Sequence, residues 1–517
     1  MKQSKKNSDP KINRRDFLST AARGTAAVSL AGLSAETLAA KPNKAKQDKP
    51  NILFVFADQL RYSALGSSGN DIVYTPNLDK LAGQGVVFDN AFSSCPICSP
   101  YRAQIITGRY SHKNGVMDNE YKPRTDQKTI HHILKEAGYH TAHIGKWHLG
   151  YGPYTEDERY GLDYIFAHDC NHHYYRVSYY ENERGPIETN RWSPIVETDK
   201  AIEFMDQHCK KNNGTPFSLF IGWGPPHNSN RGGYGPDDTH ELYDQYPGKY
   251  NVYDPAEINL RPNVPHPLVP FTRTEIADYY SNVTGLDEQM GRLMNKLEDL
   301  GIAENTIVCF SSDHGDHLRS YGYGGPGWDS WWIHPSKRTN KATPHEEAIH
   351  IPFILRWPAK VKAGQRTETM FNSVDVMPTL LGLCDLNIPK KVQGKDLSHA
   401  AMGKQGPEPD SVYLQILGPG WPGRKDFVGF WRGVRTKRWV YARWKDNEYG
   451  PWLFDRENDP YELDNLAGEK EYDKIQAKME RRLQQWIKET DDPFDTGKRH
   501  PETRILQLGQ KINHEKD

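Results

Sequence analysis

The chain has 517 residues, a length beyond the size at which one hydrophobic core stops growing, so we expect two domains. Hydrophobic residues make up 36% of the sequence, a share that excludes wholesale disorder. The 66 Lys and Arg residues balance 67 Asp and Glu residues to a net charge of -1, which argues against a nucleic-acid binder that relies on bulk positive charge.

The first 40 residues have the three parts of an export signal. A basic start is followed by a mildly apolar stretch over residues 21–33, which is too short for a stable membrane span, and then by small residues. Arg14 and Arg15 begin the pattern RRxFL, which predicts export through the twin-arginine translocase to the periplasm or the exterior. Residues 41–48 are predicted to be a solvated linker.

Short apolar runs alternate with amphipathic helical patterns between residues 49 and 395. The candidates for buried strands are 51–57, 141–145, 217–223 and 306–312. Leu and Met recur at helical spacing between residues 283 and 300. Strands that alternate with helices indicate an α/β fold, here a mostly parallel sheet flanked by helices.

The pattern changes near residue 396. Short aromatic-rich segments, separated by Gly and Pro, occur near 411–417, 427–436, 438–444 and 451–455. An amphipathic helix follows, with its apolar face formed by Ile475, Met479, Leu483, Trp486 and Ile487. We therefore predict that residues 396–517 form a smaller C-terminal α+β subdomain, with a short antiparallel sheet and a helix.

Polar side chains follow each of the four predicted strands. In chain order they are Asp58 and Gln59, Lys146 and His148, His227, and finally Asp313 and His314. Ligands bind beyond the carboxyl ends of the strands in open α/β sheets, so we expect these side chains to converge on one rim. A single Asp or His is more often structural, but four sets at one rim indicate a functional site.

Residues 95–109 read CPICSPYRAQIITGR and contain a CxxC pair, Cys95 and Cys98. Such pairs occur in redox proteins and zinc sites, but no second CxxC pair accompanies this one and no His pair follows at zinc-finger spacing. The run from Cys98 to Gly108 matches C-x-P-x-R-x4-T-G. This stretch resembles the signature of the type I, formylglycine-dependent sulfatases of the alkaline phosphatase-like superfamily.

The resemblance extends over roughly residues 50–467. It is carried by PNILFVFADQ (50–59), the segment 74–92, GKWHLG (145–150), SSDHGDHL (311–318), KATPHEEAIHIPFILRWP (341–358) and the segment 452–467. Lys341 stands five residues before Glu346, where the family places a sulfate-binding Lys. The resemblance implies an alkaline phosphatase-like fold, with residues 49–395 as the catalytic domain.

The resemblance also implies the nucleophile and the metal site. A formylglycine-generating maturation enzyme would oxidise Cys98 to an aldehyde, whose hydrated gem-diol attacks sulfur. The implied metal ligands are Asp58, Gln59, residue 98, Asp313 and His314, with Ca²⁺ favoured and Mg²⁺ as the alternative. Gln59 replaces a second Asp of the commonest family pattern and His314 replaces an Asn. Because two carboxylates then remain, we expect weaker metal binding and easier sulfate binding.

The remaining roles implied by the resemblance concern five side chains. Arg102 would hold the modified residue 98 and balance its charge. Lys146 and Lys341 would neutralise the sulfate oxygens. His148 would act as the base that helps expel sulfate, and His227 would protonate the leaving oxygen.

We predict an exported sulfatase that hydrolyses a sulfate ester, on a sulfated carbohydrate by preference. One alternative is a hydrolase of phosphate or phosphonate monoesters or diesters on the same fold. A second is a glycan-binding pseudo-enzyme in which Cys98 stays unmodified, and a third is an oxidoreductase with a Cys95–Cys98 disulfide. The segments 163–192 and 316–340, rich in aromatic and basic residues, either contact sugar rings or pack as aromatic surface.

The four other cysteines are predicted to be buried apolar fillers. They are Cys170, Cys209, Cys309 and Cys384.

Overall fold

The structure is a computed structural model. It describes residues 49–211, 214–228, 247–264, 269–321, 341–417, 430–445, 450–495 and 509–511. The predicted export signal, the predicted linker and most of the segment 316–340 lie outside the described residues.

Sixteen strands occur among the described residues. They are β1 (Asn51–Asp58), β2 (Val86–Phe92), β3 (Tyr121–Pro123), β4 (His140–Lys146), β5 (Tyr164–His168), β6 (Val177–Glu181), β7 (Arg184–Thr189), β8 (Phe217–Pro226), β9 (Thr306–Ser312), β10 (Phe353–Arg356), β11 (Gln365–Asn372), β12 (Ser411–Ile416), β13 (Trp431–Thr436), β14 (Trp439–Trp444), β15 (Trp452–Asp455) and β16 (Gly509–Lys511).

Ten α-helices connect or flank these strands in the described part of the chain. They are α1 (Pro76–Gly83), α2 (Cys98–Thr107), α3 (Ser111–Asn114), α4 (Ile130–Glu136), α5 (Ser193–Lys211), α6 (Val269–Asp299), α7 (Glu346–Ile349), α8 (Val376–Leu383), α9 (Ser398–Ala401) and α10 (Asp473–Glu489).

Ten strands form one large sheet in the order β11-β2-β10-β9-β1-β8-β4-β5-β6-β7. Its centre is parallel: Leu53 of β1 lies opposite Leu219 of β8 on one side and Val308 of β9 on the other. The strand β10 runs antiparallel to β9 and β2, and β5, β6 and β7 pair antiparallel at one edge. All four predicted strands are confirmed, and they are adjacent and parallel in the order β9-β1-β8-β4.

Helices cover both faces of the large sheet, because its central strands are apolar on both sides. In β1, Leu53, Val55 and Ala57 pack into a core that includes residues of α5 and α6. The alternate residues Ile52, Phe54 and Phe56 pack into a second core with residues of α2, α4 and α8. This burial on both faces is the usual environment of parallel strands in α/β proteins.

The C-terminal region contains an antiparallel sheet in the order β12-β13-β14-β15, which confirms the predicted small sheet. One face, including Leu414 and Trp431, packs on Phe92 and Ile97 near the start of α2. The other face packs on Met479, Leu483, Trp486 and Ile487 of α10, as the helical pattern predicts. The small sheet therefore lies between α10 and the large sheet.

The segment 163–192 is about half strand. It supplies β5, β6 and β7, and the rings of Phe166 and Tyr179 stack in the interior at 4.5 Å between centroids. Part of its aromatic content thus serves packing. Among the described residues, no helix combines the length and apolar character needed to cross a membrane.

Candidate active site

Four neighbouring strands bring the predicted polar residues to one rim of the large sheet. Asp58 ends β1 and Lys146 ends β4, while His227 directly follows β8 and Asp313 directly follows β9. Because these strands are parallel and adjacent, their carboxyl ends lie side by side. All four side chains are buried.

Cys98 is the first residue of α2 and is buried at the centre of this rim. Its Sγ lies 3.5 Å from Asp58 Oδ1, 3.3 Å from His314 Nε2 and 3.2 Å from Lys341 Nζ. The neighbouring Ser99 fixes the start of the helix, since its backbone N–H donates to Asn119 Oδ1 at 3.0 Å. The helix therefore presents residue 98 to both cationic and acidic groups.

Four side chains form a cluster with the dimensions of a metal site: Asp58, Cys98, Asp313 and His314 offer ligand atoms that all lie within 4.8 Å of one another. His314 Nδ1 is 2.9 Å from the carbonyl of Gly315, so it carries the proton and donates it there. Its Nε2 is then the lone-pair nitrogen, and this atom faces the cluster.

Gln59 adjoins this cluster. Its backbone lies in the left-handed region (φ 66°), and its N–H donates to Asp313 Oδ1 at 2.9 Å. The side-chain amide N donates to Asp316 Oδ2 at 2.7 Å, while Oε1 is buried and has no hydrogen-bond partner among the described residues. A buried amide oxygen without a donor is costly unless a ligand satisfies it, so the geometry fits a cation ligand.

Arg102 and Lys146 compensate the two carboxylates. Arg102 Nη2 donates to Asp58 Oδ2 and to Asp313 Oδ2, both at 3.2 Å, and its Nη1 donates to the carbonyl of Lys146 at 2.5 Å. Lys146 Nζ donates to Asp58 Oδ2 at 2.5 Å. Gly222 makes room for this contact, because a Cβ there would lie 2.7 Å from the Lys146 carbonyl and 3.0 Å from Arg102 Nη1.

The two carboxyl groups have different proton affinities. Burial pushes the pKa of Asp58 upward, but the charges of Lys146, Lys341 and Arg102 act together with the nearby His227 to outweigh it and hold that pKa well below its usual range. Burial and the negative charge of Asp58 raise the pKa of Asp313 to about 7. Burial and the same charge raise the pKa of Cys98 to about 12, so the side chain is a thiol rather than a thiolate at neutral pH.

Lys341 and His227 close the other side of the site. Lys341 Nζ lies 3.0 Å from His227 Nε2 and 3.2 Å from His314 Nε2. His227 Nδ1 lies 2.8 Å from the carbonyl of Asn228 and donates to it, which leaves Nε2 directed at Lys341. Burial, with the nearby cations, lowers the pKa of His227 well below its usual value, so the ring is neutral.

His148 joins the site through the backbone. Its φ is 54°, and its carbonyl accepts a hydrogen bond of 2.7 Å from Ser99 Oγ. The imidazole is buried, and its Nδ1 has no hydrogen-bond partner among the described residues. Burial and the charge of Lys146 lower its pKa well below the usual value, so this ring is a neutral potential base.

The structure thus brings all ten predicted site residues to one rim. Sequence reasoning missed three neighbours: Asp316, which holds the amide of Gln59; Asn119, which caps α2; and His172, whose ring stacks on His227. Asp316 lies in the same SSDHGDHL run as Asp313, so its closeness in the sequence to a predicted metal ligand could have identified it as a site residue. For Asn119 and His172 no sequence signal exists, because their roles arise from tertiary contact.

Comparison with known families finds two matching family models. The sulfatase model matches residues 50–386, and the model of the C-terminal region of N-sulphoglucosamine sulphohydrolase matches residues 338–489.

Similar curated proteins span most of the chain. An ulvan-active sulfatase of Formosa agariphila is 33% identical over 86% of this chain and 82% of its own length. An endo-4-O-sulfatase of Bacteroides thetaiotaomicron is 28% identical over 87% of this chain and 94% of its own length. An N-acetylglucosamine-6-O-sulfatase of the same organism is 26% identical over 93% of both chains.

Solved structures show the same architecture. A yidJ sulfatase structure from Bacteroides fragilis superposes with a TM-score of 0.74 at 29% identity, covering 90% of this chain and 99% of that one. A phosphonate monoester hydrolase of Agrobacterium radiobacter superposes with a TM-score of 0.66 at 18% identity, covering 90% of this chain and 100% of that one. At that identity the second match establishes the fold alone.

Proposed function

Because the chain belongs to the sulfatase family and is a sulfuric ester hydrolase, we propose that it is an exported enzyme that removes sulfate from a sulfated carbohydrate. The names of similar proteins support the substrate class: one is named for activity on ulvan and another for N-acetylglucosamine. The twin-arginine pattern at Arg14 and Arg15 supports export to the periplasm or the exterior.

The surroundings of Cys98 are the observation that carries the proposal. A sulfate ester carries its negative charge on oxygens around sulfur, and a site for it needs positive groups on several sides of the reacting atom. Lys341 Nζ contacts the Cys98 Sγ directly at 3.2 Å. Lys146 and Arg102 both donate hydrogen bonds to Asp58, and Asp58 Oδ1 lies 3.5 Å from the Cys98 Sγ. Two further positive groups therefore lie near the reacting atom.

A divalent cation fits the donor set at this rim. Asp58, Gln59 and Asp313 would hold it through hard oxygen atoms, together with residue 98, which favours Ca²⁺ with Mg²⁺ as the alternative. The Nε2 lone pair of His314 faces the same point. When bound, such a cation stabilises the negative charge of the sulfate oxygens.

We propose that Cys98 is converted to formylglycine by a maturation enzyme, since the side chain as a buried thiol is a poor nucleophile. The hydrated aldehyde supplies a hydroxyl nucleophile at the start of α2. In this assignment Lys146 and Lys341 bind the sulfate oxygens. Arg102 balances the charge at residue 98 and, through its hydrogen bonds to Asp58 and Asp313, keeps the groups around that residue in place.

Two histidines divide the proton transfers in this assignment. His227 would first take up a proton at Nε2 as the anionic substrate binds, because the negative charge of the sulfate favours the imidazolium form. It would then donate that Nε2 proton to the leaving oxygen of the sugar, while its Nδ1–H stays bound to the Asn228 carbonyl. His148 accepts a proton at residue 98 when sulfate is released, and its neutral ring suits that role.

Mass spectrometry tests the maturation of residue 98. In protein co-expressed with a formylglycine-generating enzyme, the tryptic peptide of residues 81–102 should be lighter by about 18 Da than the thiol form. The variant Cys95→Ala is the matched control and should keep this loss, because Cys95 lies outside the signature. An unmodified thiol at Cys98 would support the pseudo-enzyme, and a Cys95–Cys98 disulfide would support the oxidoreductase.

Matched substrates test the reaction. We expect kcat/KM for an aryl sulfate to exceed that for the corresponding aryl phosphate, and Cys98→Ala to abolish the sulfate activity. Desulfation of defined sulfated mono- and oligosaccharides then identifies the sugar. Faster turnover of the phosphate than of the sulfate would contradict the proposal and assign the chain to phosphate or phosphonate ester hydrolysis.

Cell fractionation tests the export. When both Arg14 and Arg15 are replaced with Lys, the precursor should stay in the cytoplasm, because the twin-arginine translocase recognises the paired guanidinium groups. Unchanged export of this variant would contradict the twin-arginine route.

A further inference from the structure

A pair of stacked histidines lies at the edge of the site. The ring centroids of His172 and His227 are 3.9 Å apart, and the ring planes are inclined by 21°. Both side chains are buried. His172 comes from the connection between β5 and β6, outside every sulfatase-like motif in the sequence.

A chain of hydrogen bonds fixes the orientation of His172. Cys170 Sγ lies 3.2 Å from His172 Nε2, and His172 Nδ1 lies 3.4 Å from Tyr174 Oη. The thiol donates to Nε2, so Nδ1 carries the proton and donates to the tyrosine oxygen. The expectation that Cys170 is a buried filler is therefore wrong: it is half-buried, and its thiol contacts a histidine beside the site.

Tyr174 ties the same connection to the backbone of His227. Its hydroxyl lies 2.8 Å from the carbonyl of His227 and 3.0 Å from that of Gly224, and it donates to them. The tyrosine ring packs against Gly224, where an added Cβ would lie only 2.5 Å from Cε1. Residues 170–174 thus hold the backbone of His227 through Tyr174 and its ring through His172.

The stack restrains a motion that the other contacts of His227 leave free. Its two nitrogens are held in the ring plane, Nδ1 by the Asn228 carbonyl at 2.8 Å and Nε2 by Lys341 at 3.0 Å. Neither bond resists tilting of the ring out of its plane. The face of His172, at 3.9 Å, opposes that tilt directly.

We propose that His172 is a positioning residue for His227, held in place by Cys170 and Tyr174. This inference rests on the proposed role of His227 as the proton donor to the leaving oxygen. Proton transfer depends on donor geometry, and a displacement of about 1 Å costs roughly 100-fold in rate. If His172 is removed, the loss of kcat should therefore be largest for substrates whose leaving group most needs a proton.

Two aryl sulfates separate positioning from a general structural role. Phenyl sulfate releases a phenol with a pKa of about 10, whereas 4-nitrophenyl sulfate releases a much more acidic phenol that needs little protonation. We expect His172→Ala to lower kcat by about 100-fold on phenyl sulfate and by less than about fivefold on 4-nitrophenyl sulfate, with KM nearly unchanged. His172→Phe, which restores a flat ring, should recover most of the loss.

The control is another stacked histidine. His140 stacks on His208 at 5.2 Å and lies at the opposite end of β4 from Lys146. His140→Ala should leave the ratio of the two rates as in the wild type. Equal losses on both sulfates in His172→Ala, or no loss, would overturn the proposal. Wild-type protein that cleaves only phosphates would contradict the proposed function instead, and the same comparison is then made with phenyl and 4-nitrophenyl phosphate.

Crystal structures give a readout that does not depend on turnover. In His172→Ala the ring of His227 should tilt and Nε2 should move from its 3.0 Å contact with Lys341 Nζ. In Tyr174→Phe, which keeps the ring against Gly224 but loses the hydroxyl, the His227 carbonyl should shift. A His227 ring unmoved in His172→Ala overturns the positioning role.

Discussion

The amide of Gln59 shows how one side chain sets the charge of the site. Its nitrogen is held by Asp316, and its oxygen is buried without a donor from any residue that the structure describes. A second Asp at this position would add a negative charge where the chain supplies a neutral oxygen. If Asp58 and Asp313 are the two carboxylate ligands, as proposed, a divalent cation would bring the sum of ligand and metal charges to zero.

The variant Gln59→Asp is therefore expected to bind metal more tightly and sulfate more weakly. One added carboxylate beside the cation should lower the Kd for Ca²⁺ by roughly tenfold, because ligand charge governs the affinity of calcium sites. The same charge should raise the inhibition constant of inorganic sulfate. Calorimetric titration of the metal measures the first effect without any turnover.

Asp316→Asn is the matched control for Gln59→Asp. Replacing one of its two accepting oxygens by an amide nitrogen weakens the contact that orients the Gln59 amide, and it adds no charge next to the proposed metal ligands. We expect weaker metal binding in this variant rather than tighter. Equal Kd values for Ca²⁺ in Gln59→Asp and the wild type would show that residue 59 does not face the cation.

At the scale of elements, the rim that carries the proposed active site depends on the C-terminal sheet. Lys341 precedes Ala342, whose φ of 67° is left-handed, and the Ala342 carbonyl accepts a hydrogen bond of 3.1 Å from Trp431 Nε1 in β13. Further along β13, Arg435 binds Glu346 through two hydrogen bonds of 2.9 and 3.0 Å. The small sheet thus fixes the segment that carries Lys341.

The variant Trp431→Phe should loosen Lys341 without removing it. A neutral hydrogen bond contributes about 1 kcal/mol, so the apparent affinity for inorganic sulfate should fall by roughly fivefold, with a matching rise in KM. Trp486→Phe is the control: it loses an indole bond of 3.0 Å to Ser411 on the opposite face of the same sheet. Equal effects of the two variants on sulfate affinity would contradict a specific role of Trp431.

The sequence predicts the centre of the site better than its surroundings, for a physical reason. Asp58, Lys146, His227 and Asp313 follow apolar runs, so local pattern and sheet topology together determine where they lie. The edge strands β5 to β7 carry mixed polar and aromatic residues and give no clear periodicity. Contacts such as Trp431 with Ala342 join positions 89 residues apart and depend on how two sheets pack.

At the scale of the whole molecule, a buried ion pair links distant parts of the chain. Asp492, which follows α10, accepts hydrogen bonds from Arg432 Nε at 2.8 Å and from Tyr413 Oη at 2.9 Å, and His112 of α3 lies 3.1 Å away. All of these side chains are buried. The cluster therefore joins α3 to the small sheet and to the end of α10.

The variant Asp492→Asn should destabilise the protein in a pH-dependent way. Burial raises the pKa of Asp492, but the charge of Arg432, the nearby His112 and the hydrogen bonds from Arg432 and Tyr413 together outweigh it, so the folded-state pKa lies far below its usual value. The carboxylate therefore stabilises the fold fully above the unfolded-state pKa of about 4, and this stabilisation is lost as the pH falls further. Breaking a buried pair costs about 3 kcal/mol, so urea unfolding at pH 7 should show a loss of that size.

Acidification distinguishes this pair from an exposed one. The difference in unfolding free energy between wild type and Asp492→Asn should shrink below about pH 4, as the unfolded wild type takes up the proton that Arg432 excludes in the fold. Glu368→Gln removes an exposed partner of Lys437, and its cost should stay below about 1 kcal/mol. If the two variants were equally stable at pH 7, the packing of α3 and α10 on the small sheet would rest on apolar contacts rather than on this charge.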